Sequence, residues 1–587
     1  MSAAKPGQRV VDIAPPALLE DKAFCTELSA LAAERDISLE VAQEEVERCI
    51  KELAIEPRDR YLNWSARLAR FMYSRSYDTE LDVDREALDR LQQLAGNRPL
   101  VFLWSHKSHL DSFVFLRAIY DGNFRPQPLS FAGINMSFAG FGTLARNAGA
   151  IFLRRSFKGA DIYKLVFRHY VRYLVAKRAP LSWSIEGTRS RTGKLMPPKP
   201  GLLQWVLEAL EANGDDSALF VPVSITFDQI AEMDDYIAIN RGEPKRKESL
   251  GWFLGYIFGM QNSAGKIHVR FGEPVSLQDP GEVPAALLQT SSDAKQAHTL
   301  QLALEVSRRM EHSTLVTPQS LVCLALLASE AKPLPLPQLQ QRLMHLQRAV
   351  ARAGLPCAAG LENALDTGLP EILDSLADSA LLVDHGDQTW SVNPAKSLGA
   401  SYYRNTISHF FLYRTLGELA LAVTAHSGDS VNRESVGEAV LRWREILKFE
   451  YVFMERDESI AQALAHLDYT YPDWEQLLAD GQSPFVDREP VYGRGILLSV
   501  LEAYRLFTDS YPAATSAAGA EVSPAKQALE YAARIGGPLQ SAVSLPLMEN
   551  AQRLCSNLKL LEPGEAGLND LRSELGHALK AIQAYQK

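Results

Sequence analysis

The 587 residues suffice for about three domains, and a composition of 46% hydrophobic and 22% charged residues excludes wholesale disorder, collagen and coiled coil. A net charge of −10 argues against nucleic acid as a partner of the chain as a whole and leaves only local basic sites open. The five cysteines, Cys25, Cys49, Cys323, Cys357 and Cys555, never form a C-x-x-C pair, so neither a disulfide framework nor a zinc site is expected, and a reducing compartment is.

The opening residues, Met1 to Arg9, lack the apolar stretch of a signal peptide. From Ala17 to Leu94 the pattern is helical, with apolar residues at three- and four-residue spacing between Glu40 and Leu53. The segment Tyr61 to Tyr73 is amphipathic, basic and aromatic, which suits either a core-facing helix or contact with an anionic bilayer. At Pro99 the texture changes. Leu100 to Trp104 is a continuous apolar run, as in a strand buried on both faces. Similar runs follow at Ala150–Leu153, Leu181–Ile185 and Leu219–Ile225, separated by helical segments such as Asp161–Lys177 and Leu202–Ala212. Such alternation predicts a mostly parallel sheet.

Pro126 to Ala145 is too broken by proline and glycine to span a bilayer. Leu250 to Met260 is apolar but too short to cross; it fits a buried helix or one lying on a membrane. Ile267 to Phe271 reads as a closing strand. After Asp279-Pro280-Gly281 the chain is mainly helical, with a break at 332–337 and an Ala/Ser/Gly/Pro-rich loop expected from Ser510 to Pro524. The expected class is therefore α/β. A central, mostly parallel sheet domain (96–280) is flanked by an N-terminal helical region (1–95) and a C-terminal, mainly helical domain (281–587).

Polar residues of chemical interest follow the ends of the core strands, where open α/β sheets bind ligands. His106 and Asp111 stand five apart at a strand-to-helix turn. The aspartate can hold one imidazole nitrogen and leave the other as a base. This is a triad without its nucleophile, so the nucleophile would be a substrate hydroxyl. By itself the pair also fits a purely structural contact. Arg154 and Arg155, with Lys158, follow the second run; guanidinium forks suit phosphate, and a solvated strand end is the plainer reading. Glu186, Gly187, Arg189, Arg191 and Lys194 form a glycine-containing turn with three cations, able to surround an anion. Glu186 could pair with one of the arginines or position an acceptor. Pro222 is expected near the functional end of its strand.

The ordered set HKSHLD (106–111), GAIFLRRSF (149–157), EGTRSRTGK (186–194) and VPVSI (221–225) resembles the four blocks of the glycerol-3-phosphate acyltransferases, most of all the bacterial membrane-associated branch, with the dihydroxyacetone-phosphate acyltransferases near relatives. Phe131 to Asn135, Tyr236 to Glu248, Phe271 to Pro274 and Thr314 to Leu321 add to the match, which covers about Asn97 to Leu327. The resemblance implies acyl transfer from acyl-CoA or acyl carrier protein to the 1-hydroxyl of glycerol 3-phosphate. It implies His106 as general base and Asp111 as its orienter. Arg155, Arg189 and Arg191 would clamp the phosphate with Arg154 and Lys194 in support, and Gly187 would allow close backbone approach. Glu186 and Pro222 complete the implied site. No metal and no cofactor beyond the donor are implied. A phospholipid membrane surface is the implied partner, with peripheral attachment on the cytoplasmic face. Lys107 stands where arginine is usual, and Thr188 where glycine is frequent, which leaves donor and acceptor preference open. Dihydroxyacetone phosphate is the alternative acceptor; a non-catalytic lipid-binding scaffold is the alternative of another class.

Overall fold

The computed structural model describes residues 9–11, 13, 16–134, 141–154, 156–245, 250–259, 264–281, 294–330, 332–427, 431–485, 491–515, 523–535, 540–561 and 567–584. The chain divides into two compact units. The first comprises Met1–Ser190, Leu195–Ala231 and Arg246–Thr314; the second comprises Arg191–Lys194, Glu232–Lys245 and Leu315–Lys587.

The first unit is built on one sheet. Its strands are β1 (Asp82–Val83), β2 (Leu100–Trp104), β3 (Leu129–Gly133), β4 (Ala150–Leu153), β5 (Leu181–Ser184), β6 (Leu219–Phe227), β7 (Ile267–Phe271) and β8 (Val275–Ser276). Their order is β1-β7-β6-β2-β5-β3-β4, with β8 also on β6. The stretch from β4 to β6 is parallel throughout, whereas β7 and β8 run antiparallel to β6. This is the central, mostly parallel sheet that the alternation predicts. Every residue of β2 and β6 is buried, which is why both read as unbroken apolar runs. β3 escapes such a reading because it follows Pro126 and Pro128 and alternates between buried and half-buried residues.

Pro222 lies inside β6, not at its end, because pairing with β7 carries the strand on to Phe227. It is level with Leu103, one residue before the end of β2. Its carbonyl accepts from the Gly272 N–H at 2.8 Å, so its nitrogen faces the break between β7 and β8. A proline is tolerated there because no ladder donor is required.

Helices α1 (Lys22–Glu34), α2 (Leu39–Leu53), α3 (Asp59–Tyr73), α4 (Arg85–Ala95), α5 (Asp111–Asp121), α6 (Phe141–Ala148), α7 (Asp161–Ala176) and α8 (Gly201–Ala212) accompany the sheet. Asp21, Ser38 and Asp84 cap the starts of α1, α2 and α4 by accepting backbone N–H bonds. The helix α2 buries Ala42, Val46, Cys49 and Leu53, spaced four, three and four apart, in a core shared with Val166 and Phe167 of α7 and Trp183 of β5. Each large aliphatic side chain buried this way contributes about 1.5–3 kcal/mol.

The second unit is mainly helical. It carries a small antiparallel sheet in the order Leu382–Asp384, Thr389–Val392, Leu334–Pro335. Its helix Pro318–Leu327 starts at a capping box of Thr317 and Ser320 and buries almost every side chain. Buried Arg404 donates to the carbonyls of Gly495 and Ile496, inside the π-helical turn Gly493–Leu497. The loop expected from Ser510 is corrected in part. The helix Leu498–Thr515 continues through Ser510, and Tyr511 tethers its last turns by donating to the Leu561 carbonyl at 3.0 Å. Residues 516–522 lie outside the described residues, and Pro524 opens the next helix.

Candidate active site

The loop between β2 and α5 carries the histidine block. Ser105 locks its start: the Ser105 N–H donates to the Val223 carbonyl, and the Ser105 hydroxyl accepts from the Ile225 N–H. His106 emerges at the C-terminal end of the parallel strands, half-buried. Its Nδ1 lies 2.8 Å from Oδ2 of Asp111, the first residue of α5. That oxygen also accepts from the backbone N–H groups of Lys107 at 2.6 Å and Ser108 at 2.8 Å. Asp111 is fully buried. Three donors converging on one oxygen at a helix start fix the ring, with Nδ1–H donating. Nε2 is then the basic nitrogen.

Glu186 bonds to the backbone on both sides of the site. It is buried, and its two oxygens accept from backbone amides: His106 N–H at 2.6 Å and Met196 N–H at 2.9 Å. The Ser190 N–H adds a 2.7 Å bond to the His106 carbonyl. Glu186 therefore stitches the turn after β5 to the histidine loop and sets where His106 sits. Burial pushes its carboxyl above the usual range, opposed by the two amides and by Lys107. Lys107 is buried as well; burial holds its ammonium below the usual lysine value, against the attraction of Glu186, Asp111 and Glu311. The lysine standing in for arginine thus points into the protein as a buried counter-charge.

Gly187 follows at φ +65°, exposed, where an added Cβ would come within 3.1 Å of the Lys199 side chain. The Arg189 Nη1 donates to His109 Nε2, which ties the third block to the second histidine of the first. The His109 ring packs against Trp252 at 4.6 Å and Tyr256 at 5.5 Å between centroids, both on the helix Leu250–Gly259. His106, Asp111, Glu186 and Arg189 are thus gathered in one neighbourhood. Arg154 is not directed there. It forms a bidentate pair with Glu52 of α2, with Nη2 at 2.6 Å, and lies over the Tyr163 ring. Arg155 lies outside the described residues. Arg191 and Lys194 belong to the second unit. There the Arg191 carbonyl accepts from Asn240, and Lys194 pairs with Glu450 at 2.5 Å and lies over the Tyr451 ring.

His109, Trp252 and Tyr256 were not singled out as site residues. The available signals were the second histidine of HKSHLD and the four-residue spacing of the two aromatics, which puts both on one helix face.

A histidine held by a buried aspartate at the C-terminal edge of a parallel sheet can take a proton from a substrate hydroxyl. Residues 83–226 match the acyltransferase family model, and residues 236–534 match the glycerol-3-phosphate acyltransferase C-terminal region. A Mycobacterium tuberculosis H37Rv protein carrying the acyltransferase name plsB1 is 30% identical over 445 residues, covering 75% of this chain and 70% of that one. A glycerol-3-phosphate acyltransferase of Pseudomonas syringae is 27% identical over 435 residues, covering 70% of this chain and 50% of that one. The solved 1-acyl-sn-glycerophosphate acyltransferase PlsC of Thermotoga maritima shares 16% identity over 50% of this chain and 95% of that one, at a TM-score of 0.26, too low to carry weight. The chain belongs to the glycerol-3-phosphate acyltransferase family.

Proposed function

We propose that this chain transfers a fatty acyl group from acyl-CoA or acyl carrier protein to the 1-hydroxyl of sn-glycerol 3-phosphate, giving lysophosphatidate, the first step of phospholipid synthesis. The observation that carries this reading is the 2.8 Å pair of His106 Nδ1 with the buried Asp111 carboxylate. His106 Nε2 takes the proton of the acceptor hydroxyl as its oxygen attacks the thioester carbonyl. The tetrahedral adduct collapses, the C–S bond breaks, and the imidazolium returns the proton to the leaving thiolate. Asp111 keeps the tautomer and stabilises the imidazolium. Glu186 acts on geometry through the His106 amide. Arg189, with Arg155, takes the acceptor phosphate. The scheme needs no metal and no covalent acyl-enzyme. Purified protein incubated with labelled palmitoyl-CoA and each acceptor tests it. Product with glycerol 3-phosphate supports the reading, product with dihydroxyacetone phosphate alone replaces the acceptor, and no product with either favours a lipid-binding scaffold.

We further propose peripheral attachment at the cytoplasmic face of the cell membrane. Among the described residues no helix is long and apolar enough to cross a membrane. The exposed stripe of α3 supports a surface contact: Arg60, Trp64, Arg67 and Phe71 recur at four, three and four residues, all solvent-facing. Arg75 lies within cation–π range of both Phe71 and Phe258, so the two segments nominated by the sequence form one aromatic and basic patch. Trp252 is not part of it, since it faces His109.

A further inference from the structure

The phosphate role of Arg189 depends on where its guanidinium is held, and the structure assigns that task to a residue outside the His106–Asp111 pair. We propose that His109 is a positioning residue for the acceptor phosphate. Its Nε2 accepts the Arg189 Nη1–H. To accept there, the ring must be neutral with its proton on Nδ1. Trp252 and Tyr256, stacked on each other with planes 6° apart, cover the imidazole and hold its orientation. An arginine side chain has many rotamers, and fixing its fork before the substrate arrives lowers the entropy lost on binding. The helix Leu250–Gly259 thereby acquires a function besides any contact with lipid: its inward aromatics keep His109, and through it Arg189, in place.

The inference rests on the reading that Arg189 contacts the acceptor phosphate, and the test separates the two. Steady-state kinetics of the full chain with palmitoyl-CoA and glycerol 3-phosphate are compared for Arg189→Ala, His109→Ala, His109→Gln and the double alanine variant. Removing an acceptor that orients a charged donor should raise the glycerol 3-phosphate KM about tenfold to a hundredfold in His109→Ala. The palmitoyl-CoA KM should stay unchanged. His109→Gln, whose amide oxygen can take the same N–H, should recover much of the loss. In the Arg189→Ala background the His109 substitution should have no further effect, because the two residues act through one contact. An Arg189→Ala defect without a His109→Ala defect overturns the inference and leaves the phosphate reading standing. Multiplicative defects in the double variant also overturn it. An unchanged acceptor KM in Arg189→Ala removes the phosphate reading and the inference with it. If His109→Ala does not fold, folded His109→Leu, which fills the space but cannot accept the N–H, takes its place, and an unchanged acceptor KM there overturns the inference.

Discussion

Asp111 carries two duties that substitution separates. It fixes the imidazole of His106, and it satisfies the backbone N–H groups of Lys107 and Ser108 in a fully buried position. His106→Ala should lower kcat by about 10²–10⁴-fold, the usual worth of a general base, while the protein stays folded, since the ring is half-buried and the buried Asp111 carboxylate keeps the Lys107 and Ser108 amides. Asp111→Ala should lose a comparable factor and also destabilise by about 3 kcal/mol, because Lys107 and two amides lose their buried partner. Asp111→Asn, of the same shape, separates the rate loss from most of the stability loss. Paired turnover and thermal melting of the three variants check this; a folded His106→Ala protein with near-normal kcat would remove the mechanism.

Single elements carry their own tests. The surface of α3 exposes Trp64 at 64% and Phe71 at 48%, and the neighbouring helix exposes Phe258 at 54%. The flanking arginines add about 1 kcal/mol each toward anionic headgroups, an attraction that salt weakens. Replacing Trp64, Phe71 and Phe258 by serine should abolish co-sedimentation with phosphatidylglycerol vesicles without lowering the melting temperature. A variant that melts normally and still sediments would exclude this patch as the anchor. At the β1 edge of the sheet, a cluster of charged side chains joins β1 and β7. His268 Nδ1 lies 2.7 Å from Asp82 and Nε2 lies 3.0 Å from Asp228, while Arg270 also reaches Asp82. Burial works to lower the His268 pKa, but the two carboxylates prevail and raise it above 6.5. The bond from His268, against burial and with help from Arg270, holds Asp82 well below its usual 3.8. The histidine's stabilisation is therefore complete below pH 6.5 and is lost as pH rises through its higher folded value. The Asp82 contribution is complete above 3.8 and is lost only as pH falls toward its lower folded value. Melting curves of the natural chain and His268→Gln should differ most near pH 5–6 and draw together as pH rises through the raised folded value of His268. A constant difference from pH 5 to 9 would rule out this account.

At the scale of the whole molecule, the basic residues grouped by sequence take different partners. Lys194 was expected to support the phosphate clamp. In the second unit its ammonium meets Glu450, whose side chain is 2% exposed and also receives Tyr504 and Asn550. Burial works to lower the Lys194 pKa, and Glu450 with Tyr451 overrides it and raises it. Lys194→Ala should thus destabilise by about 3–5 kcal/mol, the consequence of stranding a buried carboxylate. Calorimetry checks this. A variant that melts normally but needs more glycerol 3-phosphate would return Lys194 to the clamp.

The local features of this protein were legible in the amino-acid order. The runs at 100–104, 150–153 and 267–271 are strands at those limits because a buried strand needs only its own apolar residues to declare itself. His106 and Asp111 could be paired by eye because five residues span a loop and the first turn of a helix. Partner choice among charges was different in kind. Arg154 selects Glu52 across 102 residues, Glu186 selects the His106 amide across 80, and Lys194 selects Glu450 across 256. An arginine followed by an arginine looks the same in sequence whether it awaits a phosphate or is already neutralised. Coulomb attraction acts over a few ångströms, and only the folded chain brings its termini of action that close. The sequence therefore determined the strands, the histidine and its aspartate; the tertiary structure decided which partner each cation meets, Glu52 for Arg154, Glu450 for Lys194 and His109 for Arg189.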